Sequence, residues 1–193
     1  MKLTLGFTAA LLACAATAHA QGASVGVKAG VNLADLSIKD AGSTFSASNR
    51  TGLVAGVFVT IPGGGIFAFQ PEALISMQGA KFTDESDSGT VKIDYLQVPL
   101  LARIKPSKSP VGIVVGPAIG YRIRAKLSAA GQDEDFADQV KRTDLGLVTG
   151  VVVDVAHVVL DGRYTWGLTN IGKDSGDGKI KNRVASVTLG FRF

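Results

Sequence analysis

The feature that most constrains this chain is an alternation of apolar and polar residues, repeated in run after run. A period of two places successive side chains on opposite faces of a β-strand. Turn-forming segments rich in Gly, Pro, Ser and Asp separate the runs. The eight predicted strands are 23–33, 51–61, 66–81, 92–105, 111–127, 143–155, 158–170 and 183–193.

The seventh run shows the two faces most clearly. Val158, Leu160 and Trp166 fall on one face, and Asp161 and Arg163 fall on the other. Other runs repeat this contrast, with apolar residues opposing Gly, Ala, Ser, Thr and isolated charges. One face therefore suits hydrocarbon, and the other suits a crowded polar interior.

The connections between the predicted strands alternate in length. Bacterial outer-membrane barrels have short periplasmic turns and longer extracellular loops. We therefore predict an all-β fold, an eight-stranded antiparallel up-and-down transmembrane β-barrel with both termini in the periplasm. The long connections are 34–50, 82–91, 128–142 and 171–182, and the short ones are 62–65, 106–110 and 156–157.

A soluble barrel of the lipocalin kind is the main alternative. Its polar face would meet water and should be rich in Lys and Glu. Charged residues make up only 19% of this chain, below the roughly 25% of soluble domains. Tyr164 and Trp166 lie toward one strand end and Phe191 and Phe193 toward the other, as in the aromatic girdles of membrane barrels. Both observations favour the membrane barrel.

The first twenty residues have the pattern of a cleaved signal peptide. Lys2 precedes an apolar stretch over 3–16, and Ala-His-Ala at 18–20 forms a cleavage site. An uncleaved anchor is the alternative, but the stretch is shorter than the ~20 residues that span a bilayer. We predict a signal peptide over 1–20, an outer-membrane β-barrel domain over 21–193, and location in the cell outer membrane.

Several stretches resemble the outer-membrane β-barrel domain family in its porin-family or PorT-like form. The resemblance covers most of the chain after residue 20, and it implies an eight-stranded outer-membrane barrel without an established activity. Phe193 also resembles the C-terminal aromatic residue that barrel-assembly machinery reads, which implies that machinery as a partner. The stretches are Gly-Val-Lys-Ala-Gly-Val-Asn-Leu at 26–33, Phe-Gln-Pro-Glu-Ala-Leu at 69–74, Gln-Gly-Ala-Lys at 78–81, Tyr-Leu-Gln-Val-Pro-Leu-Leu at 95–101, Gly-Pro-Ala-Ile-Gly at 116–120 and Arg-Tyr-Thr-Trp-Gly-Leu-Thr-Asn-Ile at 163–171.

The polar faces of the strands collect charges of both signs. Eight strands enclose an interior just wide enough for side chains to fill, so charges there must pair. We predict a salt-bridged network that closes the lumen, with Glu72 reaching Arg103 and, as a further partner, Arg122. A narrow pore with a weak preference for anions is the alternative. The network residues are Lys28, Glu72, Arg103, Arg122, Arg124, Asp161, Arg163 and Arg192, with Asp144 as a further acid.

Three glycines recur every four residues in the fifth predicted strand, at Gly112, Gly116 and Gly120. On a helix this spacing would indicate close helix packing. On a strand all three share the polar face, where we expect them to make room for long arginines from neighbouring strands.

The favoured function is a structural barrel with a closed lumen. A small passive porin-like channel and a barrel that binds ligands or surfaces through its loops are the alternatives. No catalytic residue, cofactor site or metal site is predicted, because His157 is the one histidine after residue 20 and no cysteine follows that point. An enzyme is therefore not expected.

The expected partners are outer-membrane lipid and lipopolysaccharide, and we expect a monomer. The net charge is +4 and the basic residues are dispersed along the chain. That balance does not favour nucleic acid as a partner.

The alternation of connection lengths predicts the orientation of the barrel. An epitope tag inserted within 128–142 should be labelled by antibody on intact cells, because this connection is long and extracellular. A tag within 62–65 should be labelled only after the cells are lysed. The opposite labelling pattern would show that the short turns face outward.

Overall fold

The computed structural model describes residues 22–40, 43–46, 48–83, 88–129, 132–135, 141–169 and 179–193. The predicted signal peptide, 1–20, lies outside these residues. In the part of the chain so described, no helix is long and apolar enough to cross a membrane.

Eight long strands match the eight predicted runs. Two short strands, Ser43–Ser46 and Gln132–Asp135, pair with the first and fifth long strands beyond the main sheet. The long strands are β1 Ser24–Asp40, β2 Ser48–Gly64, β3 Phe67–Thr83, β4 Ser88–Ile104, β5 Val111–Ala129, β6 Thr143–Val155, β7 Val158–Gly167 and β8 Lys179–Arg192.

Each long strand pairs antiparallel with its neighbour in sequence, and β8 pairs back with β1. The last residue secures this final seam, because the Phe193 N–H donates to the Val25 carbonyl at 2.8 Å. Closure removes the unpaired strand edges that an open sheet would expose. The predicted eight-stranded antiparallel barrel is confirmed.

Several strands extend further than their alternation predicts. β1 continues to Asp40, where Lys39 still lies opposite Lys179 of β8. Two strands can keep pairing through their backbones wherever both continue. An alternation of apolar and polar side chains arises only where one face of the strands is buried. The alternation therefore predicted the barrel wall and missed the hairpins that continue beyond it.

The barrel has two distinct ends, which we call the turn end and the loop end. The three short connections lie at the turn end, as predicted. In the first of them Gly64 and Gly65 have φ angles of 96° and 60°, a left-handed conformation that favours glycine. The loop end carries the long connections.

The outward face is apolar along every strand, with valine, leucine and isoleucine exposed between two aromatic bands. This arrangement confirms the two faces predicted for the seventh run and the contrast that the other runs repeat. The band at the turn end contains Phe67, Phe69, Phe191 and Phe193, and the band at the loop end contains Tyr121, Tyr164 and Trp166.

The interior is less polar than the sequence led us to expect. Apolar side chains from the middle of the barrel pack into one cluster, and each is almost inaccessible to solvent. This apolar cluster consists of Phe58, Leu101, Val114, Ala118, Val148, Val152 and Val159. Its members come from β2 and from β4 to β7, and it borders the charged residues, because the Lys28 Nζ lies 4.9 Å from the centre of the Phe58 ring.

Charge on the outward face should cost more stability at mid-height than near the turn end. Val187 lies between the aromatic bands, and Val158 lies beside the turn at 156–157. Val187→Arg should lower the free energy of unfolding by ~2–4 kcal/mol, and the matched Val158→Arg by at most about 1 kcal/mol. Urea unfolding of the refolded barrel in lipid measures both, and equal losses would argue against a membrane-facing surface.

Candidate functional site in the barrel lumen

Four charged side chains meet at the centre of the lumen, and we call them the central cluster: Lys28 of β1, Glu72 of β3, and Asp161 and Arg163 of β7. The Lys28 Nζ lies 2.9 Å from Glu72 Oε1 and 3.1 Å from Asp161 Oδ2. Arg163 donates to both oxygens of Glu72, at 2.7 and 2.8 Å, and also pairs with Asp161. Two cations and two carboxylates thus form one closed ring of ion pairs.

Glycines on neighbouring strands provide room for the two long cations. Lys28 lies opposite Gly190 of β8 and Gly56 of β2, and Arg163 lies opposite Gly150 of β6. A Cβ atom on Gly150 would lie 2.9 Å from the Arg163 Cγ. Gly150 and Gly190 therefore leave room beside Arg163 and Lys28, whereas at Gly56 a Cβ atom would lie 2.0 Å from the Ala73 carbonyl oxygen of β3.

The central cluster is almost completely shielded from water. The side chains of Glu72, Lys28 and Asp161 are 0%, 1% and 1% exposed, and that of Arg163 is 6% exposed. Burial of a charge is costly unless a partner and further hydrogen bonds compensate it. Here every charge has such a partner, so removing one of them leaves the others uncompensated.

A second ion pair lies nearer the turn end, between Arg103 of β4 and Asp154 of β6. Gln70 joins this pair to the central cluster. Its Oε1 accepts a hydrogen bond from Arg103 at 3.0 Å, and its Nε2 donates to Glu72 Oε1 at 2.6 Å. One hydrogen-bonded chain therefore runs from Asp154 to Asp161 through the lumen.

The predicted contact between Glu72 and Arg103 is wrong. Arg103 lies opposite Ala68, nearer the turn end than Glu72, so its ion partner is Asp154. Asp154 was missing from the predicted network, although it follows Val152 on the inward face of β6. That position in the alternation could have identified it.

Two other predicted network residues, Arg122 and Arg124, lie apart from the central cluster. Arg122 and Arg124 lie at the loop end, where their β4 neighbours are Tyr95 and Asp94. Arg124 Nε lies 3.7 Å from Asp94 Oδ2, and Arg122 Nε has no hydrogen-bond partner among the described residues. The predicted pairing of Arg122 with Glu72 is therefore also wrong.

Arg192 lies at the turn end, 3.9 Å from Asp154 Oδ2, and its Nη2 donates to the Ala156 carbonyl at 3.2 Å. Asp144 lies at the loop end, where its Oδ1 accepts a hydrogen bond from Thr169 at 3.1 Å. Strand register separates both residues from the central cluster, and residue type alone does not reveal register.

Neutral polar side chains form a separate network on the loop side of the central cluster. Asn32 Nδ2 donates to Ser76 Oγ at 2.9 Å, Gln78 donates to the same oxygen at 2.8 Å, and Asn182 donates to Gln78. Ser186 donates to Asn32 Oδ1 at 2.8 Å. These residues link β1, β3 and β8 across the lumen, and our sequence prediction, which considered charges only, missed them.

The glycines of β5 do not make room for arginines, contrary to our prediction. A Cβ atom on Gly116 would lie 2.1 Å from the Leu100 carbonyl oxygen, and one on Gly112 would lie 2.9 Å from that of Ile104. At Gly120 the nearest atom belongs to the Tyr95 ring, at 3.2 Å. The backbone of β4 and an aromatic ring occupy this space.

Small cavities in the described lumen include two of about 10 and 20 Å³. The larger borders Lys28, Arg163 and Pro99, and the smaller borders Asp144 and Asn182. A buried water needs roughly 10–15 Å³ and two or more polar partners, so each cavity suits a single water or a pair. Within the described ranges, no three His, Cys, Asp or Glu side chains group closely enough to hold a metal ion.

Comparisons with known proteins agree with this architecture. Residues 18–172 match the family model described as outer membrane protein beta-barrel domain. Among solved structures, Neisserial surface protein A aligns with a TM-score of 0.54 and 18% identity, over 89% of this chain and 99% of that chain. No curated protein matches the sequence.

The attachment invasion locus protein Ail of Yersinia pestis is also similar in structure. Its complex with the heparin analogue sucrose octasulfate aligns with a TM-score of 0.51 and 17% identity, over 89% of this chain and 99% of that chain. Ail alone gives 0.51 and 18%, over 88% and 98%. At these identities the similarity shows the fold.

Truncating Glu72 should destabilise the barrel strongly. Glu72→Ala leaves Lys28 and Arg163 facing each other in a buried site, and breaking a buried pair typically costs ~3–5 kcal/mol. As a control, Asp94→Ala removes a partner from a pair whose arginine is 63% exposed, and it should cost at most about 1 kcal/mol. Urea unfolding in lipid measures both, and a loss well under ~1 kcal/mol for Glu72→Ala would show that water screens these charges.

Proposed function

The chain belongs to the outer membrane protein beta-barrel domain family, and on that premise we propose that it is a structural outer-membrane barrel whose lumen is closed. The observation that supports closure is the central cluster, in which four charges are paired and almost completely buried. The apolar cluster fills the part of the same lumen next to these charges. A water-filled channel would instead leave its charged lining accessible to solvent.

The remaining parts of the proposal concern the route to the membrane and the surroundings there. We propose that residues 1–20 direct secretion and are cleaved, and that assembly machinery recognises Phe193. Phe193 directly follows the strand that closes the barrel, and its side chain is 66% exposed even in the closed barrel. Lipid and lipopolysaccharide surround the apolar face, and the protein is a monomer.

Binding through the loops is the second candidate. The observation that favours it is a set of exposed arginines at the loop end, Arg124, Arg142 and Arg183. Ail, which has a similar fold, was crystallised with a heparin analogue. A polyanion would suit these side chains in the present chain. The PorT-like assignment also stays a prediction.

Ion conductance separates the closed barrel from a passive channel. The refolded wild type in a planar bilayer should carry no steady current. The double variant Glu72→Ala, Arg163→Ala removes one charge of each sign and should conduct, because it opens space without leaving an excess charge. Ile75→Ala changes the outward face of the same β3 strand, where Ile75 is 53% exposed, and it should stay silent.

A steady current in the wild type would overturn the closed lumen and support the channel. A silent double variant that is correctly folded would show that the apolar cluster, and not the central cluster, forms the seal.

A further inference from the structure

Three adjacent strands each contain a proline away from the strand ends: Pro71 in β3, Pro99 in β4 and Pro117 in β5. Each lies in one of the stretches that carry the family resemblance. Proline lacks an N–H group, so sheets usually confine it to edges and bulges. A closed barrel has no edge, and each proline must therefore remove a hydrogen bond from the wall.

The strand pairing shows where these bonds are missing. The β2–β3 ladder stops after Phe58↔Glu72 and resumes at Ile61↔Phe69. The β3–β4 ladder stops after Pro71↔Leu100 and resumes at Leu74↔Gln97. The β4–β5 ladder stops after Pro99↔Ala118 and resumes at Ala102↔Val115.

The register is the same on both sides of each gap, so the gaps are lost bonds and not bulges. Continuing the register through the gaps places Val59 opposite Pro71, Glu72 opposite Pro99, and Leu100 opposite Pro117. The carbonyls of Val59, Glu72 and Leu100 therefore lack the donor that a ladder normally supplies. We call these three facing pairs the proline row.

The proline row is continuous across four strands, because Glu72 follows Pro71 and Leu100 follows Pro99. The other five seams of the barrel have no such gap among their paired residues. A backbone carbonyl without a donor is unfavourable in hydrocarbon, which offers no other hydrogen-bond partner. One side of the wall thus has fewer bonds to break when it opens locally.

Two contacts lie beside the missing bonds. A Cβ atom on Gly116 would lie 2.1 Å from the Leu100 carbonyl oxygen, so the absence of a side chain there leaves room for this carbonyl. The second contact involves Glu72, whose backbone belongs to the proline row and whose carboxylate belongs to the central cluster, paired with Lys28 and Arg163.

We propose that the proline row is a flexible hinge in the barrel wall, and that the central cluster holds it closed through Glu72. The ion pairs of Glu72 join the weakened β3 strand to Lys28 on β1 and Arg163 on β7. The ladders that join β8 to β1 and to β7 are continuous. When the hinge moves, these ion pairs must therefore either break or move together with β3. The inference goes beyond the closed lumen, since a wall can flex whether or not ions pass.

Amide hydrogen exchange, measured by NMR on the refolded full chain in lipid nanodiscs, tests the hinge. The amides of Val59, Glu72 and Leu100 should have protection factors at least about fivefold lower than those of Val151 and Val187, since one hydrogen bond contributes about 1 kcal/mol and that energy corresponds to about fivefold. Val151 and Val187 serve as controls because they lie in continuous ladders. Equal protection on the two sides would overturn the hinge.

Restoring one donor gives a second readout. Pro99→Ala introduces an N–H group opposite the Glu72 carbonyl, so the new amide should be protected and the exchange of Glu72 and Leu100 should slow. Pro110→Ala, in the turn between β4 and β5, adds a donor outside the ladder and should leave both rates unchanged. Free exchange of the new amide at position 99 would show that the carbonyl is not available and would overturn the proline row.

The role of the central cluster is tested separately with Lys28→Met, which removes one of its cations. Exchange at Glu72 and Leu100 should accelerate severalfold more than exchange at Val151 and Val187. An equal acceleration at all four amides would indicate general destabilisation and would overturn the clamp. Neither exchange result depends on conductance, so a failure here is distinct from a failure of the closed lumen.

Discussion

Backbone hydrogen bonding in the absence of water is the constraint on which this structure depends. Hydrocarbon offers no partners to N–H and C=O groups, so a sheet in the membrane must close on itself. The pairing of β8 with β1 meets that requirement, and the Phe193 N–H completes the seam at Val25. The lengths of the strands, the outward valines and the aromatic bands all follow from a closed wall that faces lipid on one side.

Closure also determines what the interior can hold. Eight strands leave space for side chains and little else, so each inward residue must find a partner in a small volume. The barrel divides this task between the central cluster and the adjoining apolar cluster. Gly150 and Gly190 leave room beside the stems of Arg163 and Lys28, whose charged ends meet Glu72 and Asp161.

The prolines of β3, β4 and β5 work against the constraint that the rest of the wall satisfies. Each removes a hydrogen-bond donor from a ladder, and no water is available in hydrocarbon to replace that donor. The weakened seams lie beside Glu72, the residue with the most ion-pair and hydrogen-bond partners in the central cluster. The central cluster thus adjoins the part of the wall that lacks hydrogen bonds. Glu72 therefore takes part both in the wall and in the ion pairs of the lumen.

The sequence by itself determined the number of strands, their order, their two faces and the positions of the turns, because these properties depend on local alternation and turn chemistry. It also identified Lys28, Glu72, Asp161 and Arg163 as inward charges. It could not determine which of them meet, because a contact across the lumen depends on the register of strands far apart in the chain. Only the tertiary structure therefore paired Glu72 with Lys28 and Arg163, assigned Arg103 to Asp154, and joined three separate prolines into one row.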